Sequence, residues 1–394
     1  MGASGGREGG DFLPWFEQFV IRRFIIYTLF FASGATALAY EIVWTKSFAI
    51  GLGHETLSML AVVAAFFGGI SIGAWTLDRV VSRSPAPGRW YAMLELVIAV
   101  WALASLALIL VLNQLAGNWI GLDASPLRKW AMAFAIPFLG LLPATAAMGA
   151  TFPAMERLVA QLSQSGTRVA GLYAVNTLGA VAGTMLTTMV VLPRLGFHQT
   201  TMILALINVA LAIATLVVIA KGRKTSPPAD HSFTDAPGGG RLTTTLFLTG
   251  FIGIGYEVVC IRVMTQVLEN TVYTFASVLS VYLLGTALGA AIYQRWARKQ
   301  SFEVTLRGLL QGLALACLAS VFVLSKSNSL YDSLRERFGG GVPGAMLGEI
   351  LLAAMVFLIP SILMGATFGH LAQASRRRDG GIGRAIGLNT LGAS

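Results

Sequence analysis

The two halves of this chain carry the same residues in the same order. Gly34, Tyr40-Glu41, Lys46, Gly69 and Gly73 return as Gly250, Tyr256-Glu257, Arg262, Gly285 and Gly289, each 216 residues on. Met148–Phe152 returns as Met364–Phe368 at the same offset, and Asn176–Ala180 returns as Asn389–Ala393 after 213 residues. Fixed-period similarity of this length marks a duplicated architectural unit. The unit is apolar: 55% of residues are hydrophobic and 12% charged, where soluble domains carry roughly a quarter. A duplicated apolar unit implies two related membrane bundles with any binding site between them.

Spanning-length runs lie near 24–44, 55–77, 91–115, 130–150, 168–192, 199–220, 242–262, 271–295, 306–325 and 345–368, and another starts near Gly383. A crossing needs ~20 residues at 1.5 Å each, and a helix satisfies its own backbone there. With the N-terminus inside, 20 basic residues fall in inner segments and 8 in outer ones. The positive-inside rule then places the N-terminus in the cytoplasm. Arg22-Arg23 before an apolar run resembles a signal peptide, but the same pattern deep in the chain makes Phe24–Trp44 a retained first helix. Each repeat has six helices, so both enter from the same side. The expected fold is an all-α integral membrane protein of two parallel six-helix repeats, the second cut short in its eleventh helix. Its parts are an N-terminal segment 1–23, a first repeat 24–220, a flexible linker 221–241 with Pro227-Pro228 and Gly238–Gly240, and a second repeat 242–394.

The strings Ser33-Gly34-Ala35, Tyr40–Lys46, Phe66–Trp75, Tyr91–Glu95, Gly149–Pro153 and Gly171–Ala180 are similar to the membrane module of bacterial fused major-facilitator/spermidine-synthase proteins. The resemblance implies a major-facilitator-like fold and a cytoplasmic aminopropyltransferase-like domain as partner. No stretch here matches that domain, so none of its residues carries over. The loop Asp78-Arg79-Val80-Val81-Ser82-Arg83 departs from the Asp-Arg-x-Gly-Arg pattern of classical major facilitators by lacking the Gly.

Glu41 and Glu257 are the leading candidates for a binding role. An acid inside a membrane helix costs about 2.5–3.5 kcal/mol unless paired, protonated or facing a cavity. Two at equivalent repeat positions are expected to share one cleft. Tyr40 and Tyr256 precede them and are expected to orient the carboxylates, and the Gly-interrupted helices that carry them point to a transporter site. Two acids beside aromatic rings suit an ammonium group. The competing expectation is a structural lock, in which Lys46 and Arg262 fold back onto the acids. Glu95, aligned with Gln311, and Asn176, paired with Asn389, complete the candidate site. Glu95 also suits a helix-start dipole role, and the asparagines suit interhelical hydrogen bonds. Gly69/Gly73 and Gly285/Gly289 have close-packing spacing, and Pro143 and Pro360 are expected to kink their helices.

The four His and two Cys have no metal spacing, and no catalytic constellation, cofactor motif or basic stripe for nucleic acid is present. The leading expectation is a transporter-like module for a small organic cation such as a polyamine. The alternative is a membrane scaffold anchoring a synthase-like domain or a larger membrane complex. An enzyme acting within the membrane is a third.

Overall fold

The computed structural model describes residues 12–52, 55–120, 125–162, 169–220, 239–268, 272–296, 301–339, 341–379 and 382–394. The elements are α1 (Phe12–Leu52), α2 (Glu55–Arg83), α3 (Pro87–Ile120), α4 (Pro126–Leu162), α5 (Val169–Leu186), α6 (Leu192–Ala220), α7 (Gly239–Met264), α8 (Val272–Trp296), α9 (Phe302–Ser325), α10 (Ser327–Phe338), α11 (Val342–Asp379) and α12 (Gly383–Ala393). The chain is an all-helical membrane protein.

Among the described residues nine stretches are long and apolar enough to cross a membrane. One of them, Val169–Ala220, is 52 residues long, about 78 Å at 1.5 Å per residue. That is far more than one ~30 Å core needs, so it holds two crossings. A five-residue π-helical turn, Thr187–Val191, follows α5, and the helical backbone breaks at Gly196 (φ 72°, ψ −179°). Only glycine reaches that conformation at low cost.

The helices run past the expected boundaries. α1 is already helical at Phe12, inside the expected N-terminal segment, and Gly239–Arg241 form the first turn of α7. The rest of the expected linker, 221–238, and the first eleven residues lie outside the described residues. Sequence patterning did not single out α10, a short polar helix after α9 that buries Ser327 and Tyr331. Pro143 sits inside α4 together with Pro137 and Pro153, and Pro360 sits inside α11.

The duplication is visible in the packing. α2 and α3 pack on α4 as α8 and α9 pack on α11, and α1 packs on α5 as α7 packs on α12. The close approaches repeat atom for atom. A Cβ at Gly73 would fall 1.8 Å from Ala146 O, and one at Gly289 would fall 1.8 Å from Ile362 O. Gly34 lies against Asn176 O as Gly250 lies against Asn389 O. Asn176 Nδ2 donates to Phe30 O at 3.1 Å, and Asn389 Nδ2 donates to Leu246 O at 3.0 Å. The halves meet along α5 against α8 and α12 against α2, contacts that exchange under the repeat.

The end where α6 leaves and α7 begins is called here the linker end. There the halves are joined. The buried Glu156 of α4 accepts a hydrogen bond from Arg376 Nε of α11. Asp78 Oδ1 of α2 accepts from Gly383 N at 3.1 Å, and Ser71 Oγ donates to Gly387 O at 2.7 Å. One hydrophobic core runs through both halves at this end and includes Met155, Leu158, Leu371 and Ile382. At the far end the second half packs a separate core around Met264, Val278, Tyr331 and Phe357.

Candidate functional site

A cavity of about 360 Å³ lies between the halves, in the part of the molecule away from the linker end. α2 lines it from Met59 to Ile70 and α8 from Phe275 to Thr286, which is the far-end portion of each helix. The linker-end portions carry the contacts that join the halves. Phe152 and Phe368, the last residues of the two Gly-Ala-Thr-Phe repeats, line its floor. Phe152 meets Phe30 edge-on, with ring centres 5.2 Å apart, and Phe368 lies 4.7 Å from the Tyr173 ring.

Glu41 of α1 and Glu257 of α7 both line this cavity. Each is nearly buried, at 5% and 7% exposure. They are close enough for their charges to act on one another. Neither has a hydrogen-bond or ion-pair partner among the described residues. The lock by Lys46 and Arg262 does not form, and Arg262 is exposed at the end of α7. Among the described residues no Lys, Arg or His lines the cavity, and the rest of the wall they form is apolar side chains, small residues and neutral hydroxyls and amides. Two carboxyl groups without a fixed cation favour a positively charged ligand, whose charge compensates them when they ionise.

Tyr40 and Tyr256 do not orient these acids. The Tyr40 hydroxyl donates to Asn208 Oδ1 at 3.1 Å, and its ring stacks on Trp44 at 5.1 Å. Tyr256 donates to Val356 O at 2.9 Å and meets Phe357 edge-on. Both rings turn into their own half and neither lines the cavity. The reason is helical geometry: successive residues point 100° apart. The aromatic neighbours of Glu257 are instead Tyr173 of α5 and Tyr282 of α8. Both line the cavity and lie within reach of the Glu257 charge. Sequence reasoning missed them as site residues. Their repeat mates, Ile386 and Phe66, also line the cavity but lack a hydroxyl, so a difference between matching apolar positions was the available signal.

Glu95 is also displaced from its expected place. It is fully buried behind the cavity wall and does not line it. Ser33 Oγ donates to its Oε1 at 2.6 Å, and Asn208 Nδ2 donates to its Oε2 at 2.5 Å. Asn208 Nδ2 also reaches Thr36 Oγ1 at 3.3 Å. Ser33, Thr36 and Asn208 form part of the wall, so Glu95 touches the cavity through them. Asn176 lines the cavity and also ties α5 to α1.

Among the described residues no group of three or more His, Cys, Asp or Glu is arranged to hold a metal. No family model matches the chain. Two curated proteins of Ralstonia nicotianae (strain ATCC BAA-1114 / GMI1000) resemble it, polyamine aminopropyltransferases 2 and 1. Each is 27% identical over 190 residues, or 47% of this chain, and the matched stretch covers 34% and 33% of the two relatives. The chain thus spans about a third of the length of the curated relatives it matches. Among solved structures, the human organic anion transporter MFSD10 superposes with a TM-score of 0.50 at 14% identity, over 94% of this chain and 91% of that one. The major facilitator superfamily proton:xylose symporter XylE gives 0.47 at 13% identity, over 93% and 86%. The likeness to MFSD10 is one of fold. The sign of the charge that the cavity favours is set by its own lining.

Proposed function

We propose that this protein binds and moves a small organic cation of the polyamine class. The carrying observation is the cavity between two related helix bundles, whose lining holds Glu41 and Glu257 and, among the described residues, no basic side chain. One ammonium lies against Glu257 with the rings of Tyr173 and Tyr282 beside it, an arrangement worth about 2 kcal/mol or more per cation–aromatic contact once water is excluded. A second ammonium reaches Glu41. The apolar wall between them takes a methylene chain. The likeness to polyamine aminopropyltransferases over 47% of the chain supports the amine class. The setting is a bacterial inner membrane with the N-terminus in the cytoplasm, which fits the distribution of basic residues.

The test is uptake and equilibrium binding of spermidine and putrescine by the protein in proteoliposomes. Wild type takes up the amines, and Glu41→Gln and Glu257→Gln each lower affinity at least about tenfold, the scale of one lost buried charge contact. Equal behaviour of wild type and both variants would overturn the assignment.

The same relatives support a second reading, in which the bundle anchors an aminopropyltransferase-like domain or other membrane subunits and moves nothing. Its signature is amine binding without uptake, or neither, together with co-purification of such a domain.

A further inference from the structure

The cavity-wall network contains one acid that the amine site does not use. Glu95 is fully buried on α3. Two neutral donors hold its oxygens, Ser33 Oγ from α1 and Asn208 Nδ2 from α6. The titratable groups facing it are Tyr91 on its own helix and Tyr40 on α1. From α6 it meets the neutral Asn208 amide, and no Lys, Arg or His interacts with it among the described residues. A carboxylate inside a membrane protein with no fixed cation needs another positive charge.

Hydrogen-bond accounting identifies that charge. As a carboxylate, Glu95 accepts from Ser33 and Asn208, and both donors are used. As a neutral acid it carries one O–H that needs an acceptor. One is available: Ser33 Oγ, 2.6 Å from Glu95 Oε1, belongs to a hydroxyl and accepts as well as donates. The Ser33–Glu95 bond can therefore run in either direction, and the acid keeps a partner in either protonation state.

The network is also wired to the cation site. Ser33, Thr36, Tyr40 and Glu41 lie on one helix, and Asn208 receives Tyr40 and donates to Thr36 and Glu95. Ser33, Thr36 and Asn208 line the cavity and give a proton at Glu95 a short way to water there.

We propose that Glu95 is a proton site whose proton is exchanged against the organic cation held at Glu41 and Glu257. The site rests on the cation-transport reading, but its chemistry can be tested alone. In the exchange one O–H bond of the neutral Glu95 carboxyl breaks, the proton passes to cavity water, and the entering cation supplies the compensating charge. Proton and cation therefore oppose each other, and by linkage each weakens the binding of the other by the same factor.

Two readouts separate this inference from the function on which it rests. The first needs no ligand: pH-difference infrared spectra of the purified protein, followed through the carbonyl stretch of protonated carboxylic acids. Wild type loses such bands as pH rises, Glu95→Gln lacks the component due to that acid, and Glu41→Gln and Glu257→Gln keep it. Asn208→Leu retains the Glu95 component but moves its midpoint to higher pH by about half a unit or more, because the carboxylate loses a donor. Unchanged bands in Glu95→Gln overturn the proton site. A shift to lower pH, or none, in Asn208→Leu overturns the accounting behind it.

The second readout is proton release into weak buffer when spermidine is added. Wild type releases protons, and Glu95→Gln binds spermidine but releases none. If Glu95→Gln releases as many protons as wild type, the exchange is wrong while the cation site stands. If the infrared band behaves as expected but spermidine does not bind wild type, the exchange and the amine reading both fall, and Glu95 remains a proton site without that cargo.

Discussion

At the residue scale, Gly73 and Gly255 make opposite demands on a side chain. A Cβ at Gly73 would fall 1.8 Å from the Ala146 carbonyl oxygen, a backbone atom that moves only if α2 and α4 separate. A Cβ at Gly255 meets nothing within 4 Å. Gly73→Ala is therefore expected to lower stability by about 1–3 kcal/mol through overpacking. Gly255→Ala is expected to raise it by up to about 1 kcal/mol, the helix-propensity difference between the two residues. Thermal unfolding of the purified variants in one detergent checks both, and a reversed order means that α2 and α4 do not touch as described. Spacing alone made the first case readable, because Gly69/Gly73 and Gly285/Gly289 repeat at the interval that lets helices close up. The direction of a side chain was less readable. Tyr40 and Tyr256 stand next to the acids in sequence and turn away from them in space, whereas Tyr173 and Tyr282 approach Glu257 from α5 and α8. No local periodicity announces contacts between helices so far apart in the chain.

At the scale of elements, the linker-end contacts hold one conformation. Glu156 and Arg376 connect α4 to α11, and Asp78 accepts from the first amide of α12 at Gly383. The anionic Asp78 sits where unpaired helix amides favour negative charge. These contacts lie where the halves share one core, on the opposite side of the cavity floor from Glu41 and Glu257. Glu156→Gln removes the ion pair and is expected to raise the population of molecules open at the linker end about tenfold, the scale of a 1–3 kcal/mol coupling. A cysteine at Ala174, buried between α5 and α8, reports this in a background without Cys260 and Cys317. Its labelling by a polar thiol reagent should accelerate in Glu156→Gln, and an unchanged rate would show that the ion pair does not hold the halves together. Apolar run lengths located the crossings, and the repeat located their mates. They did not show these contacts, because Glu156, Arg376 and Asp78 are spread over the sequence and meet only after the halves dock. The break at Gly196 and the small helix α10 were also hidden, since one glycine and a twelve-residue polar stretch leave little trace in a hydropathy pattern.

At the scale of the whole molecule, the two acids come from different halves, so a ligand that engages both works as a bridge. A diamine offers an ammonium to each carboxylate, and a monoamine of equal length can satisfy only one. Each half brings its acid on a helix that also packs against the other half's neighbours, α1 beside α2 and α7 beside α12. A bridging ligand therefore ties the far ends together, whereas a single-headed one leaves one acid unmatched. Putrescine should bind wild type at least about tenfold more tightly than butylamine, consistent with one added buried charge contact. In Glu257→Gln that preference should shrink towards unity, because one ammonium of the diamine then has no partner. Calorimetric titration of the four combinations forms a double-mutant cycle between ligand and protein, and the coupling it returns isolates the bridge from any general loss of affinity. Independent contributions from ligand and protein would mean that the two halves do not share one ligand, even if both carboxylates border the same cavity. A coupling of the expected size would make the ligand itself a structural link between the duplicated halves, bearing on the end of the molecule opposite the Glu156–Arg376 contact.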